Sequence, residues 1–126
     1  MRKAINHKGD PAPTYVRLFN MLRAIREMSP FCELTADEER LLDELLVRWH
    51  GSKRITVSDI MRDIAHVPQT TTYRRLIALR DKGLVDLQVD EDDRRVKFVL
   101  PTSVAERYKT LVSDTLKSIA ADEKLA

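Results

Sequence analysis

Cysteine, glycine and long apolar runs are what this chain of 126 residues has least of. The single cysteine, Cys32, excludes an internal disulfide framework and any zinc site built from several thiolates. Gly9, Gly51 and Gly83 are the whole glycine complement, and neither GxGxxG nor the P-loop pattern GxxxxGK occurs, so Gly-rich phosphate cradles are absent. No run of about 18 apolar residues is present to form a membrane span. The stretch from Met1 to Pro13 carries basic residues with no apolar segment behind them, unlike a secretory signal. These absences predict a cytoplasmic protein with no membrane partner. His7, His50 and His66 do not fall on one helix at metal-ligand spacing. No set of nucleophile, base and orienting group suggests itself, nor a working pair of carboxylates. The expectation is therefore a protein that is not an enzyme and needs neither metal nor cofactor.

What remains is a well-charged globular chain. Hydrophobic residues make up 43% and charged residues 33%, enough for one core under a dense solvated surface, and the length suits one domain. The net charge of +2 says little by itself, but the charges are segregated. Residues 1–30 hold six basic residues (Arg2, Lys3, Lys8, Arg17, Arg23, Arg26) against Asp10 and Glu27. From Gln69 to Arg80 there are three arginines and no acid, whereas acids collect in 33–44 and in Asp90-Glu91-Asp92-Asp93. Such segregation can set up a local positive surface on a nearly neutral protein.

Periodicity then divides the chain. Residues 1–12, with Gly9 and Pro11, have no period and read as a flexible basic tail. Tyr15, Leu18, Phe19, Leu22 and Ile25 recur at helical spacing over 14–28, and Pro30 stops that helix. Thr35-Ala36-Asp37-Glu38 is a capping-box pattern opening a helix whose apolar face is Leu41, Leu42, Leu45, Leu46 and Trp49, with Gly51 as its end signal. Thr56 suits the N-cap of a short helix facing inward through Val57, Ile60, Met61 and Ile64. After the break at 65–68, Pro68 and Gly83 bracket a further helix over 69–82. Its inward residues are expected to be Tyr73, Leu76 and Ile77, with Leu79 or Arg80, and its outward face Thr71, Arg74, Arg75 and Ala78.

Past Gly83 the period changes to two. Val85, Leu87 and Val89 alternate with polar residues, and beyond the acidic run so do Val96, Phe98 and Leu100, predicting a β-hairpin with one apolar face. A last helix over 103–121 carries Val104, Tyr108, Leu111, Val112, Leu116 and Ile119. The fold class is mainly α with a small β-hairpin: a winged helix-turn-helix with a helical extension at each end. Residues 13–126 form the single domain, with 34–100 as a DNA-binding lobe. The wide apolar faces of 13–30 and 102–124 exceed what a lobe of about 65 residues needs covered, which predicts a homodimer.

The candidate DNA-binding residues follow from this layout. Gln69, Thr70, Thr71, Arg74 and Arg75 lie on the second helix of the helix-turn-helix, where a guanidinium fork can bond guanine O6 and N7 and hydroxyls can reach phosphate or base edges. Arg94, Arg95 and Lys97 lie on or beside the hairpin, where a cation can enter a narrow minor groove, and Asp92 or Asp93 can hold one of the arginines extended. Cys32 is expected to be a buried apolar thiol rather than a redox sensor, because Glu33 beside it opposes thiolate formation.

These stretches resemble the MarR-type winged-helix transcription regulators. The similarity is carried by Leu34-Thr35, Thr56-Val57-Ser58-Asp59-Ile60, Leu79-Arg80-Asp81-Lys82-Gly83-Leu84-Val85 and Asp93-Arg94-Arg95 rising to Val99-Leu100, in that order and spacing. The chain departs from the pattern at Leu87, where an arginine is common, and at Leu100-Pro101-Thr102-Ser103-Val104. Counting from Gly83 places the family's wing arginine at Arg95, and counting back from Leu100 places it at Arg94. The resemblance implies a homodimer interleaved through its terminal helices, binding double-stranded DNA at a near-palindromic operator and usually repressing. A small-molecule effector would sit between the helical layer and the DNA-binding lobe, although no residue nominates one. Two rival readings are a winged helix that docks an acidic protein through its arginine face, and a non-specific nucleic-acid-binding accessory protein.

Overall fold

Local chemistry sets the helix starts in the computed structural model of the chain, which describes residues 12–51, 54–64 and 66–125. The Glu38 amide donates to Thr35 Oγ1 at 3.2 Å and the Thr35 amide donates to Glu38 Oε1 at 3.1 Å, a reciprocal cap at the head of the second helix. Thr56 and Asp59 repeat the device at 3.0 Å in both directions at the head of the third. Thr102 begins the last helix by accepting from the Ala105 amide at 3.2 Å while its hydroxyl donates to Gly83 O at 2.7 Å. Gly83 has a φ of +84°, a left-handed value that an L side chain rarely adopts, and it turns the chain from helix into strand.

The order is α1 (Thr14–Arg26), α2 (Ala36–Gly51), β1 (Ile55–Thr56), α3 (Val57–Asp63), α4 (Gln69–Asp81), β2 (Val85–Val89), β3 (Lys97–Pro101) and α5 (Ser103–Leu125), with one 3₁₀ turn at Phe31–Glu33. The strands form one antiparallel sheet in the order β1-β3-β2. The core gathers Leu41, Leu42 and Leu45 of α2, Ile60 of α3, Leu76 and Leu79 of α4, with Ile55, Leu84, Val85 and Val99 beneath them. Phe31, from the 3₁₀ turn, is buried against the Tyr108 ring of α5 at a centroid distance of 4.8 Å, which joins the terminal helices to the lobe. α1 and α5 pack on each other, with Arg17 ion-paired to Asp122.

The helical segments and the hairpin match the periodicities, but two details differ. The short strand β1 was not foreseen, since two residues have no period to read. It pairs Ile55 with Val99 and Thr56 with Phe98, which makes β3 the central strand. The apolar face of β3 is also inverted relative to the expectation. Val99 is fully buried opposite Leu87, while Val96, Phe98 and Leu100 are half-buried on the other side. That other side is covered in part by Arg54, which lies over the Phe98 ring at 4.2 Å. The basic tail falls outside the described residues except for Ala12.

Candidate nucleic-acid interface

α3 and α4, joined by the turn through His66 and Val67, make the helix-turn-helix, and β2 and β3 make the wing. α4 is held from behind by α2, α3 and β2. Its inward line is Thr72, Leu76 and Leu79, each at most 3% exposed. Tyr73 and Ile77, expected inward, are instead exposed and half-buried. Leu76 and Leu79 fix the buried stripe, Thr72 falls on it four residues earlier, and Tyr73 lies about 100° further round the helix. A polar residue took the core position and an aromatic residue the surface.

The opposite side of α4 presents Thr70 and Arg74, both exposed, with Gln69 exposed at its first turn. Arg74 has no ion-pair partner among the described residues. Thr71 is half-buried. Arg75 is also half-buried and turned aside: its Nη2 donates to Asp37 Oδ2 on α2 at 3.1 Å. Ala78, expected on the outward face, is half-buried too.

A second bond fixes the far end of the helix. Lys82 Nζ donates to Glu38 Oε1 at 2.5 Å and to Glu33 O at 2.8 Å. Burial pushes the Glu38 carboxyl up, but the Lys82 ammonium and the Thr35 amide together outweigh it and leave it below the ordinary range. α4 is thus tied to the first turn of α2 at its middle, through Arg75, and at its C-terminal end, through Lys82. Arg48 similarly joins α2 to α3, donating to Asp63 Oδ2 at 2.6 Å, and that hydrogen bond lowers the Asp63 carboxyl. Sequence reasoning missed Asp37, Glu38 and Lys82 in these roles, because ion pairs across helices leave no periodic mark.

In the wing, Arg95 donates through Nε and Nη2 to Asp93 Oδ1 and Oδ2 at 3.0 and 3.1 Å, a two-pronged pair in which the arginine is exposed and the carboxylate half-buried. The Arg95 guanidinium holds the Asp93 carboxyl below its usual range. Arg94 and Lys97 are exposed with no ion-pair partner among the described residues. The candidate residues therefore fall into two groups, Gln69 to Arg75 on α4 and Arg94 to Lys97 on the wing.

A cleft of about 640 Å³ opens behind α4, between α2 and the α3–α4 turn. Its walls include Leu41, Val47, Ile64, His66, Thr72 and Arg75. The Thr72 hydroxyl, buried there, has no hydrogen-bond partner among the described residues. A second, much smaller cavity, of about 10 Å³, lies beside Phe31 and Tyr108, where the helical layer meets the lobe. Cys32 is exposed rather than buried, since the neighbouring Phe31 fills the core position in that turn. Among the described residues no three His, Cys, Asp or Glu side chains are placed to hold a metal ion, and no helix is long and apolar enough to cross a membrane.

No protein-family model matches the chain, and no curated protein matches it. Solved structures do. YusO from Bacillus subtilis superposes with a TM-score of 0.53 at 19% identity, over 87% of this chain and 70% of that one. The heme sensor protein PefR from Streptococcus agalactiae, in complex with heme, gives 0.55 at 15% identity, over 86% and 72%. A crystal structure of MarR gives 0.53 at 21% identity, over 86% and 79%. The chain has a MarR-type winged-helix fold.

Proposed function

We propose that the chain is a sequence-specific, double-stranded-DNA-binding transcription regulator, acting as a homodimeric repressor on a near-palindromic operator. One observation carries the reading. The second helix of a helix-turn-helix turns Arg74, with Thr70 and Gln69, to solvent, while ion pairs at its middle and its C-terminal end tie its back to α2. A helix held in this way can enter the major groove as a rigid body, and Arg74 can then bond guanine O6 and N7 together. Arg94 and Lys97 would follow the wing to the minor groove or the phosphates, and Arg95 would be presented by Asp93. Arg75 contributes little to this surface, because its guanidinium is paired with Asp37.

The homodimer is supported by apolar surface that α1 and α5 leave uncovered after packing on each other. Tyr15 is 62% exposed, Phe19 57% and Leu116 47%. A second copy related by a two-fold axis would bury this face against itself and set two α4 helices about 34 Å apart, one turn of DNA. A small-molecule effector would enter the cleft behind α4, which is of ligand size and shares Thr72 and Arg75 with the helix that reads DNA.

Selection from a random duplex pool at low and physiological salt tests the proposal. The expected result is an enriched inverted repeat with half-sites about one helical turn apart. Retention without enrichment would replace this reading with non-specific binding. No retention at either salt would replace it with a protein-docking winged helix.

A further inference from the structure

On α4 the residues turned away from the buried Thr72, Leu76 and Leu79 are not all polar. Helical spacing places Thr70, Tyr73, Arg74 and Ile77 along one outward stripe, at positions i, i+3, i+4 and i+7. Thr70 and Arg74 are exposed, Tyr73 is 38% exposed and Ile77 half-buried. The Tyr73 ring stacks on no other aromatic ring, and its hydroxyl makes no hydrogen bond among the described residues. Three apolar groups, a phenol ring, a threonine methyl and an isoleucine, thus flank the one guanidinium of the stripe.

We propose that Tyr73, assisted by Thr70, is a specificity-determining residue that recognises the C5-methyl of a thymine on a base pair neighbouring the guanine bonded by Arg74. The inference rests on the DNA-binding reading and deepens it by assigning the chemistry of the half-site. Thymine alone among the four bases carries an apolar group into the major groove, and it is read there by apolar side chains rather than by hydrogen bonds. Residues of one outward stripe can reach neighbouring base pairs of the groove, so Tyr73 and Arg74 together couple a methyl reader to a guanine reader.

The test uses the full chain and the duplex enriched by selection. Each thymine is replaced singly by deoxyuridine, which removes the methyl and leaves every base-pairing atom. Wild-type protein should lose about three- to tenfold in affinity at one thymine per half-site, the scale of one buried methyl group. Tyr73→Ala should lose a similar factor on the unmodified duplex and become indifferent to deoxyuridine at that position. Tyr73→Phe should keep the wild-type sensitivity, which separates ring contact from hydroxyl contact. A Tyr73→Ala protein with the wild-type deoxyuridine profile overturns the inference and leaves the DNA-binding reading standing. So does wild-type protein indifferent to every thymine. Failure of wild-type protein to enrich any duplex overturns both.

Discussion

Arg75 of α4 donates a hydrogen bond to Asp37 in the first turn of α2 at 3.1 Å, so one of the three arginines of α4 is directed to the scaffold. Both partners are partly exposed, so the pair stabilises the fold by less than about 1 kcal/mol. Its larger consequence is electrostatic: it neutralises a cation close to the proposed DNA surface. Asp37→Ala should therefore free Arg75 to approach a phosphate. DNA binding should tighten on any sequence and its salt dependence should steepen by roughly one counterion, read as the slope of log affinity against log salt. An unchanged slope would mean that Arg75 stays away from DNA even when released.

Glu38 predicts a pH dependence. Its carboxyl lies below the ordinary range in the folded chain, chiefly through Lys82 and the Thr35 amide working against burial. The unfolded chain takes up the proton first, near pH 4.3, so the pair's stabilisation is present above that pH and is lost as pH falls toward the folded value. Urea unfolding across pH 3 to 7 should show stability falling in this window. In Glu38→Gln the fall should be shallower, with the protein about 1–2 kcal/mol less stable at neutral pH. Equal slopes in the two proteins would remove Glu38 from the acid response.

Phe19 predicts the assembly. Its ring is 57% exposed and touches Tyr15 edge-on at 6.1 Å, so Phe19→Asp leaves the chain's own core alone and places a charge on the proposed dimer face. Sedimentation should show a species of twice 14.6 kDa for the wild type and of 14.6 kDa for the variant, both with the same helical circular dichroism. A dimeric Phe19→Asp protein would move the interface elsewhere.

Much of the fold could be read from the chain because it is written in local rules. Thr35 with Glu38 and Thr56 with Asp59 announce their caps by spacing alone, and Gly83 marks the exit from α4 because a positive φ is needed there. The leucines of α2 specify its buried face unambiguously. What was misread involves tertiary context. In α4 the apolar residues Tyr73, Leu76, Ile77 and Leu79 spread round more than one face, and only packing against α2 and β2 selects Leu76 and Leu79. In β3 the run Val96 to Pro101 is interrupted by Lys97 alone, so alternation cannot decide a face that β1 and Arg54 later settle. The site was legible at the level of helix and wing. The pairing of a wing arginine with Asp92 or Asp93 was legible too, and the structure makes it Arg95 with Asp93, whereas the commitment of Arg75 to Asp37 emerges only when distant partners are placed.

The most direct test of the central claim, that the outward face of α4 reads base sequence, is a titration of wild-type and Arg74→Ala protein against the selected duplex and a scrambled duplex of equal length. The account predicts a loss of about 1–3 kcal/mol on the selected duplex, a far smaller change on the scrambled one, and relaxed preference at a single guanine in each half-site. Equal losses on both duplexes, or none on either, would contradict it.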